Sequence, residues 1–238
     1  MLLMGRFERP SRPAGTRRNR PGDRGIGHDG AMRFEQMTHS AWRRIVLIVV
    51  VGLATGVVTQ VGQSVLPEGW SQAANAITPW LFVAFLLGSI MPDVRWAAAA
   101  GAGALLLALV GYYAMTELRY GIGGGTTSLI VWGFSAIVGG PVFALAGRAW
   151  RVGPERQRAV ALGLLVSVAV AEGIYNAVVL GALATGAGFV IAGLCVPIVL
   201  GRSRDDRLGA YVAAIPALGL AAIGYLALTV FAGVAAGL

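Results

Sequence analysis

The chain contains no lysine, and its only histidines, His28 and His39, lie near the N-terminus. It has one cysteine, Cys195, so a disulfide within the chain is impossible. With those residues missing from the apolar stretches, a metal site built there from His or Cys is excluded, and no cofactor is implied. Charge is scarce as well, at 13% of 238 residues. A soluble domain of this length carries roughly a quarter. Nearly half of the charged residues precede residue 45. What fills the rest is apolar: 56% of the chain is hydrophobic, and the mean hydropathy is +0.71.

Residues 1–44 are rich in Arg, Pro and Gly and have no apolar periodicity. They cannot build a core, so the sequence predicts a disordered tail, with Met32 and Met37 as alternative starts. It has no apolar segment of the kind a secretory signal needs. The net charge of +8 does not indicate a nucleic-acid partner. Every basic residue is Arg, and all lie in the tail or between apolar runs, where membrane topology places them. The expected partner is the lipid bilayer.

From Ile45 onward the apolar runs fall at about 45–66, 73–91, 96–116, 126–147, 159–180, 182–200 and 208–232. At about 1.5 Å per residue each is long enough to cross a hydrocarbon core of roughly 30 Å. The sequence therefore predicts an all-α, polytopic transmembrane bundle of seven spans over residues 45–238. The fifth and sixth spans share one uninterrupted apolar stretch, too long for a single crossing, and Gly181 is the expected turn. Connections on one side hold Arg95, Arg148, Arg151, Arg156, Arg158, Arg202, Arg204 and Arg207. The opposite connections hold only Arg119. By the positive-inside rule the N-terminus is expected in the cytoplasm and the C-terminus outside, in a bacterial plasma membrane.

Glu172 is the one acid well inside a predicted span. A charge at the bilayer centre costs about 2.5–3.5 kcal/mol on insertion scales, so it needs a partner, water or a proton. Tyr175 and Asn176 follow at three and four residues and share its helix face. In the first span Thr55, Gly56, Thr59, Gln60 and Gln63 share another face. By residue count, Gln60, Gln63, Glu172 and Asn176 lie at or beyond the midplane towards the outside, at the depth of Trp80, Tyr112, Tyr113, Trp132 and Ser135. The sequence thus predicts an outward polar and aromatic pocket, with Glu172, Tyr175, Asn176, Gln60, Gln63, Tyr112, Tyr113 and Trp132 as candidate solute-binding residues. The alternative is that the same groups are interhelical hydrogen-bond glue and the aromatics an interfacial belt.

Hydrolytic chemistry has no support. Gly133-Phe134-Ser135-Ala136-Ile137 lacks the second glycine of a nucleophile elbow, and no span holds a histidine. Catalytic residues are not expected. Small residues are abundant, with 35 glycines, and runs such as Ala97–Ala104 and Gly233-x-x-x-Gly237 allow helices to approach closely. A partner subunit or a second copy could dock on such Gly/Ala faces. Kinks are expected at Gly139-Gly140-Pro141 and Pro197.

Trp80-Leu81, Ala84-Phe85, Gly88, Arg95, the Ala97–Gly103 run, Gly111-Tyr112-Tyr113, Trp132, Gly139-Gly140-Pro141 and Glu172 together resemble an uncharacterised family of multi-pass membrane proteins from high-GC bacteria, domain of unknown function 6518. The likeness covers roughly residues 45–235. It implies a membrane location and carries over no activity or site residue. In size, Gly/Ala content and an outer-face pocket, the chain more loosely resembles the substrate-binding membrane subunits of energy-coupling-factor vitamin transporters. There small-residue motifs dock a partner subunit, a part Ala97–Ala104 would take here, although the seventh span departs from that pattern.

Overall fold

The computed structural model describes the backbone of residues 26–67, 70–121 and 125–236, with side chains from residue 41 to 224 and at 226 and 230 within those limits. Eight helices follow in order: α1 Ile26–Val65, α2 Trp70–Ala74, α3 Ile77–Ile90, α4 Val94–Tyr120, α5 Thr126–Val152, α6 Glu155–Val178, α7 Leu183–Leu200 and α8 Arg204–Ala236. No strand occurs among the described residues. Seven segments are long and apolar enough to cross a membrane, namely Ala41–Val65, Trp70–Ile90, Val94–Tyr120, Thr126–Val152, Glu155–Val178, Leu183–Leu200 and Arg204–Gly224. They coincide with the seven expected spans, and the protein is a helical multi-pass membrane protein.

The chain divides into two units, residues 1–43 and 44–238. In the first, α1 starts at Ile26. Between Ala31 and Arg44 no Gly or Pro interrupts a helix. Residues 1–25 of the expected tail lie outside the described residues, as do 68–69, 122–124 and 237–238, which takes in Gly237.

Within the second unit, close helix pairs are made by small residues. A Cβ at Gly88 of α3 would strike the carbonyl oxygen of Ala144 on α5, and one at Gly147 of α5 would strike that of Phe85 on α3. The backbones of α3 and α5 therefore touch, an approach open only to glycine. Gly101 and Gly140 do the same for α4 and α5, and Gly56 packs against Ala108 to bring α1 onto α4. Ala97, Ala100 and Ala104 are buried in a cluster with Ile48, Leu87 and Met91. That face of the Ala97–Ala104 run is thus consumed by packing within the bundle. α6 is the most enclosed span, packed on α7 and α8 and touching α5 and α3.

Gly181 supplies the expected turn between the fifth and sixth spans. Its φ of +69° lies in the left-handed region that glycine favours. The amides of Leu180 and Ala182 close the end of α6 by donating to the carbonyls of Tyr175 and Asn176.

The second span is not one helix. It is expected as a continuous run over 73–91, yet α2 ends at Ala74 and α3 starts at Ile77, with Ala76 extended (ψ 148°). Pro79 explains the break. A helix continued through this point would need an amide on residue 79 and would drive the proline ring into the carbonyl of Asn75. In the first turn of a new helix the same proline is tolerated. α3 alone has 14 residues, about 21 Å by helical rise. That is shorter than a bilayer core, so α3 alone does not cross one, and the candidate span Trp70–Ile90 takes in α2 as well.

Candidate functional site

A helix that begins part-way along a membrane span must find acceptors for its first amides within the protein or from solvent. Ala76 contributes no side-chain cap to α3. The amide of Ala76 donates to the carbonyl of Ala73 at 3.4 Å, and Pro79 has no N–H to satisfy. The remaining two amides, on Ile77 and Thr78, donate to Glu172 Oε1 at 2.6 Å and Oε2 at 2.7 Å. Glu172 of α6 is therefore the N-terminal cap of α3, supplied from 95 residues further along the chain.

The geometry suits a carboxylate. Both oxygens accept, and both bonds are shorter than the usual 2.9–3.0 Å of a neutral amide donor. Negative charge at a helix N-terminus is favoured by the aligned peptide dipoles, by up to about 2 kcal/mol in partly buried settings. Glu172 is 4% exposed.

Asn176, one turn on, is buried too. Its Nδ2 donates to the backbone carbonyl of Glu172 at 2.9 Å. That bond fixes the amide orientation, since a flip would set oxygen against oxygen. Tyr175 is half-buried on the same helix.

A second polar group joins α1, α3 and α4 beside this cap. Trp80 Nε1, two residues beyond Thr78, donates to Thr59 Oγ1 at 2.9 Å. Tyr112 OH donates to Gln63 Oε1 at 2.9 Å. The Trp80 and Tyr112 rings meet edge-on with centroids 6.4 Å apart, and Tyr113 stands perpendicular to Tyr112 at 5.2 Å. Gln60, beside Thr59, is 4% exposed. At the margin, Arg119 donates to Ser64 Oγ, which in turn donates to the carbonyl of Gln60. The structure thus gathers most of the sequence-derived site residues into one polar layer. Trp132, on α5, is exposed and makes no side-chain hydrogen bond or ring contact among the described residues.

Bonding accounts for most of these groups but not all. Among the described residues, three buried side-chain oxygens have no hydrogen-bond partner: Gln60 Oε1, Thr78 Oγ1 and Asn176 Oδ1. All three belong to this layer. Buried polar atoms are nearly always paired, and an unpaired one costs about 1–3 kcal/mol.

Sequence reasoning missed two contributors. Thr78 and Pro79 shape the cap, and the signal was a proline four residues after Asn75 in an otherwise apolar span. Asp206, 1% exposed, was also missed. Its two oxygens accept from Arg158 Nε at 3.1 Å, and its Oδ2 accepts from the amide of Arg202. Ser203 Oγ accepts from the Asp206 amide at 2.9 Å, so Ser203 is the N-terminal cap of α8.

The arginine-bearing end has a consistent chemistry. Arg148 donates to the carbonyl of Met91 after α3, Arg158 to that of Gly153 after α5, and Arg207 to that of Gly201 after α7. Arg202 donates to Arg151 O in the last turn of α5 and lies over the Trp150 ring at 5.4 Å. α3, α5 and α7 all end here, so these guanidinium groups meet the negative ends of three helices.

Residues 35–231 match the model of a family of unknown function. No curated protein and no solved structure matches the chain. On that match, which spans most of its length and every span of the bundle, the chain belongs to the DUF6518 family.

Proposed function

We propose that this is a bacterial plasma-membrane protein that binds or carries a small polar or cationic solute through the polar layer around Glu172. The observation that carries this reading is the set of three buried, unpartnered oxygens on α1, α3 and α6. A solute bearing donors or positive charge would pair them. The broken span supports it, because discontinuous helices bring backbone ends and polar side chains together at membrane depth. Orientation follows the arginines, eight on one set of connections and one on the other. That puts the arginine-bearing end in the cytoplasm and the polar layer nearer the outside. The bilayer is the partner, and a further membrane subunit or second copy would dock through Gly/Ala faces not used inside the bundle. Nucleic acid has no part.

The test is thermal unfolding of the detergent-purified protein across a panel of small amines, amides, polyols and amino acids. At least one should raise the transition saturably in wild type, and Asn176→Leu should abolish that rise. If no member gives a saturable shift, or the shift survives Asn176→Leu, the binding reading is wrong. A C-terminal reporter active only in the cytoplasm should be silent, and activity there would reverse the orientation.

A second reading has its own observation. Both Glu172 oxygens are bonded to α3 amides, which makes this residue an interhelical cap whatever else the layer does. In that reading the protein is a structural or regulatory component, and no solute shifts its unfolding.

A further inference from the structure

We propose that the guest of the polar layer is a monovalent cation, held by the carboxylate of Glu172 together with Asn176 Oδ1 and Thr78 Oγ1. The proposal rests on the pocket reading above and names its ligand class.

Hydrogen bonds tie both Thr78 and Asn176 to Glu172. The Thr78 amide sits on Glu172 Oε2, so the Thr78 hydroxyl belongs to the turn that touches the carboxylate. Asn176 is bonded to the Glu172 carbonyl through its nitrogen, which leaves its oxygen as the open end. Both oxygens are buried and unpartnered, and Asn176 is 4% exposed. Gln60 Oε1, on the helix that holds Trp80 through Thr59, is a third unpartnered oxygen in the same layer.

The chemistry of this set points one way. A carboxylate, an amide oxygen and a hydroxyl are hard oxygen ligands, the kind that replace the hydration shell of a small cation. They also match the N–H donors of an ammonium group. The α3 terminus offsets only about half an elementary charge of the carboxylate, which leaves a negative potential at its oxygens, with Arg119 further out at the layer's margin. In a low-dielectric span that potential favours a positive guest over a neutral one. An anion would meet the carboxylate and the open amide oxygens together, and is disfavoured.

The test uses the full chain in lipid nanodiscs, with thermal unfolding followed by tryptophan fluorescence. Sodium chloride, potassium chloride and methylammonium chloride are each titrated at constant ionic strength, balanced by the bulky cation N-methyl-D-glucamine as its chloride. A saturable rise with at least one small cation is expected. Its half-saturating concentration should increase at least tenfold in Thr78→Val and in Asn176→Leu. Neither variant removes the Glu172 cap, so both should remain folded. A response to sodium or potassium alone identifies a metal ion, and a response to methylammonium alone identifies an organic ammonium group.

Several results would overturn the inference. If the cation response is intact in both variants, the ion binds elsewhere. If only acetamide or glycerol saturates, and does so through Asn176, the pocket stands but its guest is neutral. If the shift follows replacement of chloride by formate, the guest is an anion. If no salt or solute saturates, the pocket reading falls and this inference falls with it.

Discussion

Replacing Glu172 with glutamine tests whether the side chain holds the broken span together. Wild-type Glu172 accepts from two backbone amides at 2.6 and 2.7 Å. Hydrogen bonds to a charged group contribute about 1.5–3 kcal/mol each. Glutamine keeps one accepting oxygen and turns an NH2 group towards the other amide, so one bond is lost, along with the attraction between charge and helix dipole. The expected cost is about 2–3 kcal/mol. Glu172→Ala removes both acceptors and leaves two buried donors unpaired, for about 3–5 kcal/mol. The assay is hydrogen exchange by mass spectrometry on detergent-solubilised protein, reading peptides over residues 76–84. A loss of about 2 kcal/mol in local opening free energy speeds exchange by roughly 30-fold. Peptides over residues 203–210, at the arginine-bearing end, serve as the control and should be unchanged. Pro79→Ala sharpens the test. Without the ring, α2 can run into α3, and the Ile77 and Thr78 amides can reach carbonyls four residues back. In the Glu172→Gln background this second change should therefore restore part of the lost protection, a non-additivity that an unconnected pair would not give. Wild-type exchange across 76–84 in both Glu172 variants would refute the capping account.

Further outcomes follow from the packing and the hydrogen bonds. Trp80→Phe removes the donor to Thr59 and should lower stability by about 1 kcal/mol. Thr59→Val should show coupling to it in a double-mutant cycle of thermal unfolding, and additive effects would mean the bond contributes nothing. Gly147→Val forces a side chain into the backbone of Phe85 and should cost about 3 kcal/mol or more, lowering the yield of monodisperse protein in size-exclusion chromatography. Gly219→Ala, where nothing lies within 4 Å, should be neutral or stabilising by up to about 1 kcal/mol. Asp206→Asn leaves Arg158 without its buried carboxylate and should cost about 3 kcal/mol in the same unfolding assay. Wild-type stability there would show that the pair is idle.

The spans were legible because crossing a bilayer imposes a length, and apolar run length is written directly in the residues. The Gly181 turn was legible for the same reason: the run before it is too long for one helix, and only one residue near its middle readily adopts a positive φ. Gln63, Tyr112 and Trp80 were found by depth alone, which placed them in one layer without saying that they bond to one another. The role of Glu172 was half legible. Its cost in a membrane predicts a partner, but the partner is a pair of backbone amides, and every residue except proline carries one. Nothing in the letters Ile77 and Thr78 marks them as donors. Pro79 was the available signal, and it went unread because a proline three residues into a helix is ordinary unless the helix is known to start there. Asp206 was overlooked for a related reason. In the sequence it lies between arginines at a span end and resembles a solvated charge, whereas the fold turns it inward onto Arg158.

The cap on α3 also sets a timetable. The amides of Ile77 and Thr78 leave the ribosome 95 and 94 residues ahead of the carboxylate that satisfies them. At about 5–20 residues per second, the interval is roughly 5–20 s. Throughout it the half-helix has an open end, and two more spans, α4 and α5, are made before α6 arrives. A nascent chain stalled before residue 172 therefore lacks the acceptor for both amides. Completion of the fifth span is the event that commits the first four to a finished structure.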